Sequence, residues 1–85
     1  MIKIIKEVLG SALYAARLKF ASSQEHMAER CSLSVRQYSD LENGKRLPSL
    51  RTFFNILIIC ELDANLLIKQ IREKGYRVNN EKDAA

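Results

Sequence analysis

Apolar residues recur at helical spacing along most of the chain. Between residues 5 and 20, Ile5, Val8, Leu9, Ala12, Leu13, Ala16 and Phe20 fall at steps of three and four, while Lys6, Arg17 and Lys19 fall off that stripe. One amphipathic helix is predicted there. Gly10 lies inside it at a cost of about 1 kcal/mol relative to Ala, which implies that something approaches closely at that point. Ser22-Ser23 then offers a helix start in two frames: Ser23 as N-cap, or Ser22 as N-cap with Glu25 completing a capping box. Either frame leads to a second helix ending near Cys31, with Met27, Ala28 and Cys31 buried.

Ser34-Val35-Arg36-Gln37 is a capping box that opens a third helix through Tyr38 and Leu41 to Glu42. Asn43-Gly44 stops it, because Gly adopts the left-handed conformation without a Cβ penalty. Pro48-Ser49 opens a fourth helix, apolar almost all round from Phe53 to Cys60, so a central position is expected for it. Asp63 caps a fifth, with Leu66, Leu67, Ile68 and Ile71 apolar and Gly75 as its stop. The expected architecture is all-α: a compact five-helix domain over residues 1–75, followed by a flexible C-terminal tail over 76–85.

Gln24 to Leu41 carries the most information. Two short helices are joined by Ser32-Leu33-Ser34, a link too short for antiparallel packing, so the helices must cross steeply. Met27, Cys31, Leu33, Tyr38 and Leu41 then face inward, with Ala28 at the crossing. That pattern is a helix-turn-helix, formed by the second and third helices.

Composition supports the fold and narrows the function. The 85 residues are 47% apolar and 28% charged, with three Gly and one Pro, too few turn-formers for an all-β domain of this length. A chain of this size holds one core and buries only roughly 60% of its unfolded surface. The net charge of +4 suits a nucleic-acid partner without demanding one. Cys31 and Cys60 lie far apart in sequence and read as small buried hydrophobes in a reducing compartment, with a secreted disulfide as the lesser alternative. One His and two Cys at no ligand spacing make no metal site, and no cofactor is implied. The residue types that build a catalytic nucleophile–base pair, a carboxylate pair or a phosphate loop do not occur at working spacing, so no enzyme is expected. His26, the sole histidine, is expected at the surface. The charged N-terminal segment Ile2-Lys3-Ile4-Ile5-Lys6 does not resemble a signal peptide, and the eight-residue apolar run Phe53–Cys60 cannot span a bilayer that needs about 20 residues. A soluble, cytoplasmic protein with no membrane partner is expected.

From Leu9 to about Leu67, two-thirds of its length, the chain resembles the Cro/phage-repressor-like helix-turn-helix proteins, the XRE family. The resemblance rests on Leu9-Gly10 and Arg17, on Ser23-Gln24-Glu25-His26-Met27-Ala28, and above all on Ser39-Asp40-Leu41-Glu42-Asn43-Gly44-Lys45-Arg46-Leu47-Pro48-Ser49. Two positions depart from the family pattern. Ser32 stands where a turn Gly is usual, and Tyr38 where an aliphatic residue is usual; Tyr38 is expected to bury its ring with the hydroxyl at an edge.

The resemblance implies a sequence-specific regulator of transcription, a repressor, with double-stranded DNA as its partner. Val35, Arg36, Gln37 and Asp40 match the positions that face base edges in the major groove. Arg36 suits guanine and Val35 a thymine methyl. Gln37 either reads adenine or remains in its capping box, and Asp40 either pairs with Arg36 four residues earlier or accepts from cytosine. Ser23, Gln24, Asn43, Lys45 and Arg46 match phosphate-contacting positions. Arg17 and Glu42 match a buried structural ion pair. Such proteins bind palindromic operators as homodimers, and Leu66, Leu67, Ile68 and Ile71 are the expected dimer surface, because three consecutive apolar residues cover more of a helix than one core needs. The N-terminal Ile2-Lys3-Ile4-Ile5 segment could instead fold back over that surface. A rival class is a protein-binding role, an antitoxin holding a toxin or a protein answering to an anti-repressor; a restriction–modification controller is a third reading.

Overall fold

A computed structural model describes residues 2–78, and the expected tail beyond residue 78 lies outside the described residues. Five helices follow one another: α1 (Ile2–Lys19), α2 (Gln24–Arg30), α3 (Val35–Glu42), α4 (Leu50–Ile59) and α5 (Ala64–Glu73), with no strand among the described residues. The all-α expectation holds. α1 begins three residues earlier than its stripe suggested, because Ile4 and Ile5 continue the periodic face and are half-buried.

Side-chain caps set four of the helix starts. Ser23 accepts from the His26 backbone N–H, which selects the Ser23 frame for α2. Ser34 and Gln37 form the full capping box: the Ser34 N–H donates to Gln37 Oε1 at 2.9 Å, and the Gln37 N–H donates to Ser34 Oγ at 3.1 Å. Ser49 and Asp63 cap α4 and α5. Each cap satisfies backbone donors that the helix itself leaves open.

The helix ends share one device. After α1, α2, α3, α4 and α5, a left-handed residue reverses the chain: Ala21 (φ 52°), Ser32 (59°), Gly44 (70°), Glu61 (52°) and Gly75 (100°). In each case the next residue's N–H returns to a carbonyl in the last turn, as Leu33 does to Ala28 and Lys45 does to Asp40. These are Schellman closures. Ser32 therefore holds the helix-turn-helix link in the conformation that glycine would adopt without strain.

The core draws from every helix: Val8, Leu9, Leu13 and Ala16 of α1, Met27 and Ala28 of α2, Tyr38 and Leu41 of α3, Ile56 of α4 and Leu67 of α5, with Cys31 and Cys60 at the helix ends. α1 is the spine; it packs on α3 and α5, while α2 packs on α3. Gly10 explains itself here. A Cβ at that position would stand 2.6 Å from the Glu42 carbonyl oxygen, so only glycine lets α1 cross the end of α3 this closely.

Two expectations are corrected. α4 is not central: Ile56 is buried, but Leu50, Phe54 and Ile58 are 71%, 53% and 74% exposed. The domain has too few elements to cover α4 on all sides. Tyr38 does bury its ring, but its hydroxyl is fully buried too and makes no hydrogen bond. The two cysteines are free and buried as expected, and the fold brings them into one cluster, with the Cys60 thiol 3.7 Å from Met27 Sδ.

Candidate nucleic-acid interface

α3 enters the domain at Ser34, whose capping box fixes its first turn, and leaves it at Glu42, which is anchored to α1. Between them Tyr38 and Leu41 face the core. That leaves Val35, Arg36 and Gln37 exposed at the amino end, with Asp40 half-buried one turn later on the Arg36 side. Of the two readings for Asp40, the ion pair with Arg36 does not form among the described residues. Both side chains therefore remain available to an outside partner. Gln37 is different, because its amide oxygen is held by the Ser34 N–H. Only its amide nitrogen is left to donate, so two-point recognition of adenine would cost the capping box.

The base of α3 is locked by charge. Arg17 Nε donates to Glu42 Oε2 at 2.9 Å and Nη2 donates to Oε1 at 2.8 Å, a two-point pair with side chains 18% and 4% exposed. The same guanidinium donates to the Ser22 carbonyl at 3.3 Å, which ties the α1–α2 turn into the pair. Burial alone would raise the Glu42 pKa; hydrogen bonds from Arg17 and Gln24, with the Arg17 charge, outweigh it and hold the carboxyl below its ordinary value. The Glu42 hydrogen bond likewise raises Arg17. Burial, with the Glu42 carboxylate nearby, pushes the Tyr38 phenol well up, so it stays neutral. The structural ion pair implied by the resemblance is thus present.

Gln24 is drawn into this network as well. Its Nε2 donates to Glu42 Oε1 at 3.2 Å. A phosphate would have to compete for that amide, so Gln24 doubles as a positioning residue. Ser23 serves as the α2 cap, and Asn43 donates to Ser39 Oγ at 3.2 Å from an exposed position. Lys45 and Arg46 follow in the exposed turn. An open cleft of ≈ 560 Å³ is lined by Gln24, Asn43 and Gly44 together with Tyr14, Arg17 and Glu42, so the fold brings Gln24 and Asn43 to one site. Tyr14 escaped the sequence analysis. It is half-exposed in that cleft, with the Arg17 guanidinium carbon 5.4 Å from its ring centre. Its only signal in the sequence is an aromatic residue lying off the apolar stripe, one turn before Arg17.

The expected dimer surface divides. Leu67 is 6% exposed and belongs to the chain's own core, so it is not a surface residue. Leu66 and Ile68 are 48% and 56% exposed but border different clefts, Leu66 beside Ala12, Ala15 and Lys19, and Ile68 beside Leu47, Pro48, Leu50 and Phe53. Positions two apart stand about 200° apart on a helix, so one flat interface cannot use both fully. Ile71 is half-buried on the Ile68 side, in an apolar groove of ≈ 420 Å³. Ile5 forms one wall of that groove and leaves it open, which answers the question of whether the N-terminal segment lies over α5.

Two short helices in steep succession, the second capped outward and anchored at its base, define a helix-turn-helix protein. Comparison with known proteins agrees. The chain belongs to the helix-turn-helix family, whose family model matches residues 13–67. A relative, the ImmF control region 10 kDa protein of Bacillus phage phi105, is 36% identical over 72 residues, 80% of each chain. Among solved structures, the clp gene regulator ClgR from Corynebacterium glutamicum has the same fold, with a TM-score of 0.69 at 20% identity over 82% of this chain and 74% of that one.

Proposed function

We propose that the protein is a DNA-binding regulator of transcription that inserts the amino end of α3 into the major groove of a palindromic operator, binds as a homodimer, and represses by occupying promoter DNA. The observation that carries this reading is the anchored α3, with Val35, Arg36 and Asp40 free at its outer face and the basic turn Lys45–Arg46 immediately after it. A groove about 12 Å wide admits one such helix, and the flanking cations suit the phosphates on its rim. The phage control-region relative supports a role in transcriptional control. A protein that acts on DNA in this way works in the cytoplasm, and no helix among the described residues is long and apolar enough to cross a membrane. The role is binding rather than catalysis.

The groove beside Ile68 is the dimer contact in this reading. Leu47 and Pro48 line it directly after Arg46, so a second copy seated there would continue the DNA-facing edge of the first. Two half-sites about 34 Å apart require such a twofold arrangement.

Fluorescence anisotropy on DNA chosen from a random pool tests the proposal. The logarithm of the binding constant falls with that of salt by about 0.9 per neutralised phosphate. Arg36→Ala costs roughly 1–3 kcal/mol and relaxes selection at one base pair, whereas Lys45→Ala weakens all sequences alike. Folded protein that binds no DNA at low salt would overturn the reading.

A further inference from the structure

The outer face of α4 is the largest unexplained feature of the surface. Leu50, Phe54 and Ile58 stand four residues apart, on one face of the helix, and are 71%, 53% and 74% exposed. Such exposure of consecutive large apolar side chains marks an interaction surface rather than a tolerated accident. Neither the α3 surface nor the groove beside Ile68 uses Phe54 or Ile58.

The charges at the two ends of this stripe identify what covers it. Arg51 is the only charged residue within α4, and Glu61 follows its end; both are exposed, and neither is paired among the described residues. Positions 51 and 61 are equidistant from residue 56, and so are 54 and 58. A second α4 laid antiparallel across the first, with the twofold axis at the level of Ile56, therefore sets Phe54 against Ile58 of the second copy. The same register sets Arg51 against Glu61 of the second copy, and each contact occurs twice. A twofold contact must be self-complementary in this way, whereas an unrelated partner needs no such symmetry.

We propose that the outer face of α4 is a homotypic docking surface, on which two copies of this chain pack α4 against α4 in antiparallel register through Phe54, Ile58 and two Arg51–Glu61 pairs. The contact leaves α3 free, so it forms with or without DNA. α4 is ten residues long, about 15 Å, so the contact is small and its association weak and concentration-dependent. Where the groove contact forms as well, the two interfaces join chains beyond a dimer, and copies on neighbouring DNA sites then bind cooperatively.

Sedimentation velocity of the full chain, from micromolar to several hundred micromolar, tests the register. Arg51→Glu alone, or Glu61→Arg alone, places like charges opposite each other at both ends and weakens association by about tenfold or more. An equimolar mixture of the two variants restores opposite charges at both ends and recovers the parent's association. Ile58→Lys abolishes the contact, and circular dichroism confirms that each variant keeps its helices. The proposal is overturned if the parent stays monomeric throughout, if either charge variant associates like the parent, or if the mixture fails to recover. Ile68→Glu separates the two interfaces: it spares the α4 contact. If Ile68→Glu removes all association while Arg51→Glu removes none, the groove dimer stands and the α4 contact does not.

Discussion

Replacing Gly10 with alanine is the sharpest test of how α1 positions α3. In an isolated helix this change is stabilising by about 1 kcal/mol, because glycine carries the greater backbone entropy when unfolded. In this fold the new Cβ would stand 2.6 Å from the Glu42 carbonyl oxygen and 3.1 Å from that of Leu41. Both obstacles are backbone atoms, which cannot rotate aside. Reaching ordinary contact requires the end of α3 to retreat by roughly 0.8 Å. Overpacking of this kind costs about 1–3 kcal/mol. Retreat also stretches the Arg17–Glu42 bonds, now 2.8 and 2.9 Å, since those residues sit on the same two helices. The strain exceeds the propensity gain, and Gly10→Ala destabilises the domain by about 1–2 kcal/mol. For a chain of this size each 1 kcal/mol moves Tm by about 4–8 °C. Thermal unfolding followed by circular dichroism reads the change, with Ala15→Gly at an exposed α1 position as the propensity control. A Gly10→Ala protein that melts at or above the parent temperature would show that α1 and α3 do not cross this closely.

Glu42→Ala leaves the Arg17 guanidinium without its partner and destabilises by about 3 kcal/mol, the low end for a buried pair because Arg17 keeps some contact with water; a urea titration measures it. Because the folded Glu42 pKa is depressed, the pair's contribution is complete above the ordinary glutamate value of about 4.3 and is lost as pH falls through the lower folded value. Melts at pH 7 and in that acid range therefore diverge for the parent and converge with those of Glu42→Ala. Tyr38→Phe removes a buried hydroxyl that makes no hydrogen bond, so denaturant unfolding should show stability equal to the parent or up to about 1 kcal/mol higher. Ser32→Gly relieves the left-handed strain at the helix-turn-helix link and raises stability by about 1 kcal/mol in the same assay, whereas Ser32→Val lowers it.

The sequence by itself determined the helices and their starts, because caps and stops are local. Ser34 and Gln37 complete their box within four residues, and Gly44 closes α3 from inside the same short run. The same locality explains the ambiguity at Ser22-Ser23: both frames satisfy short-range rules, and Arg17's hold on the Ser22 carbonyl belongs to a different helix pair. The resemblance pointed to Arg17 and Glu42, but only the folded chain shows that Gln24 shares their carboxylate and that Tyr14 borders the same cleft. Those residues are up to 28 positions apart in sequence, and no periodic pattern links them. Burial was the least legible quantity. Leu66, Leu67 and Ile68 are alike by composition, yet Leu67 enters the core while its neighbours do not, because the direction of α5 is set by α1. The apolar run of α4 likewise reads as a buried helix. A five-helix domain lacks the neighbours to bury it, and the surplus became a surface.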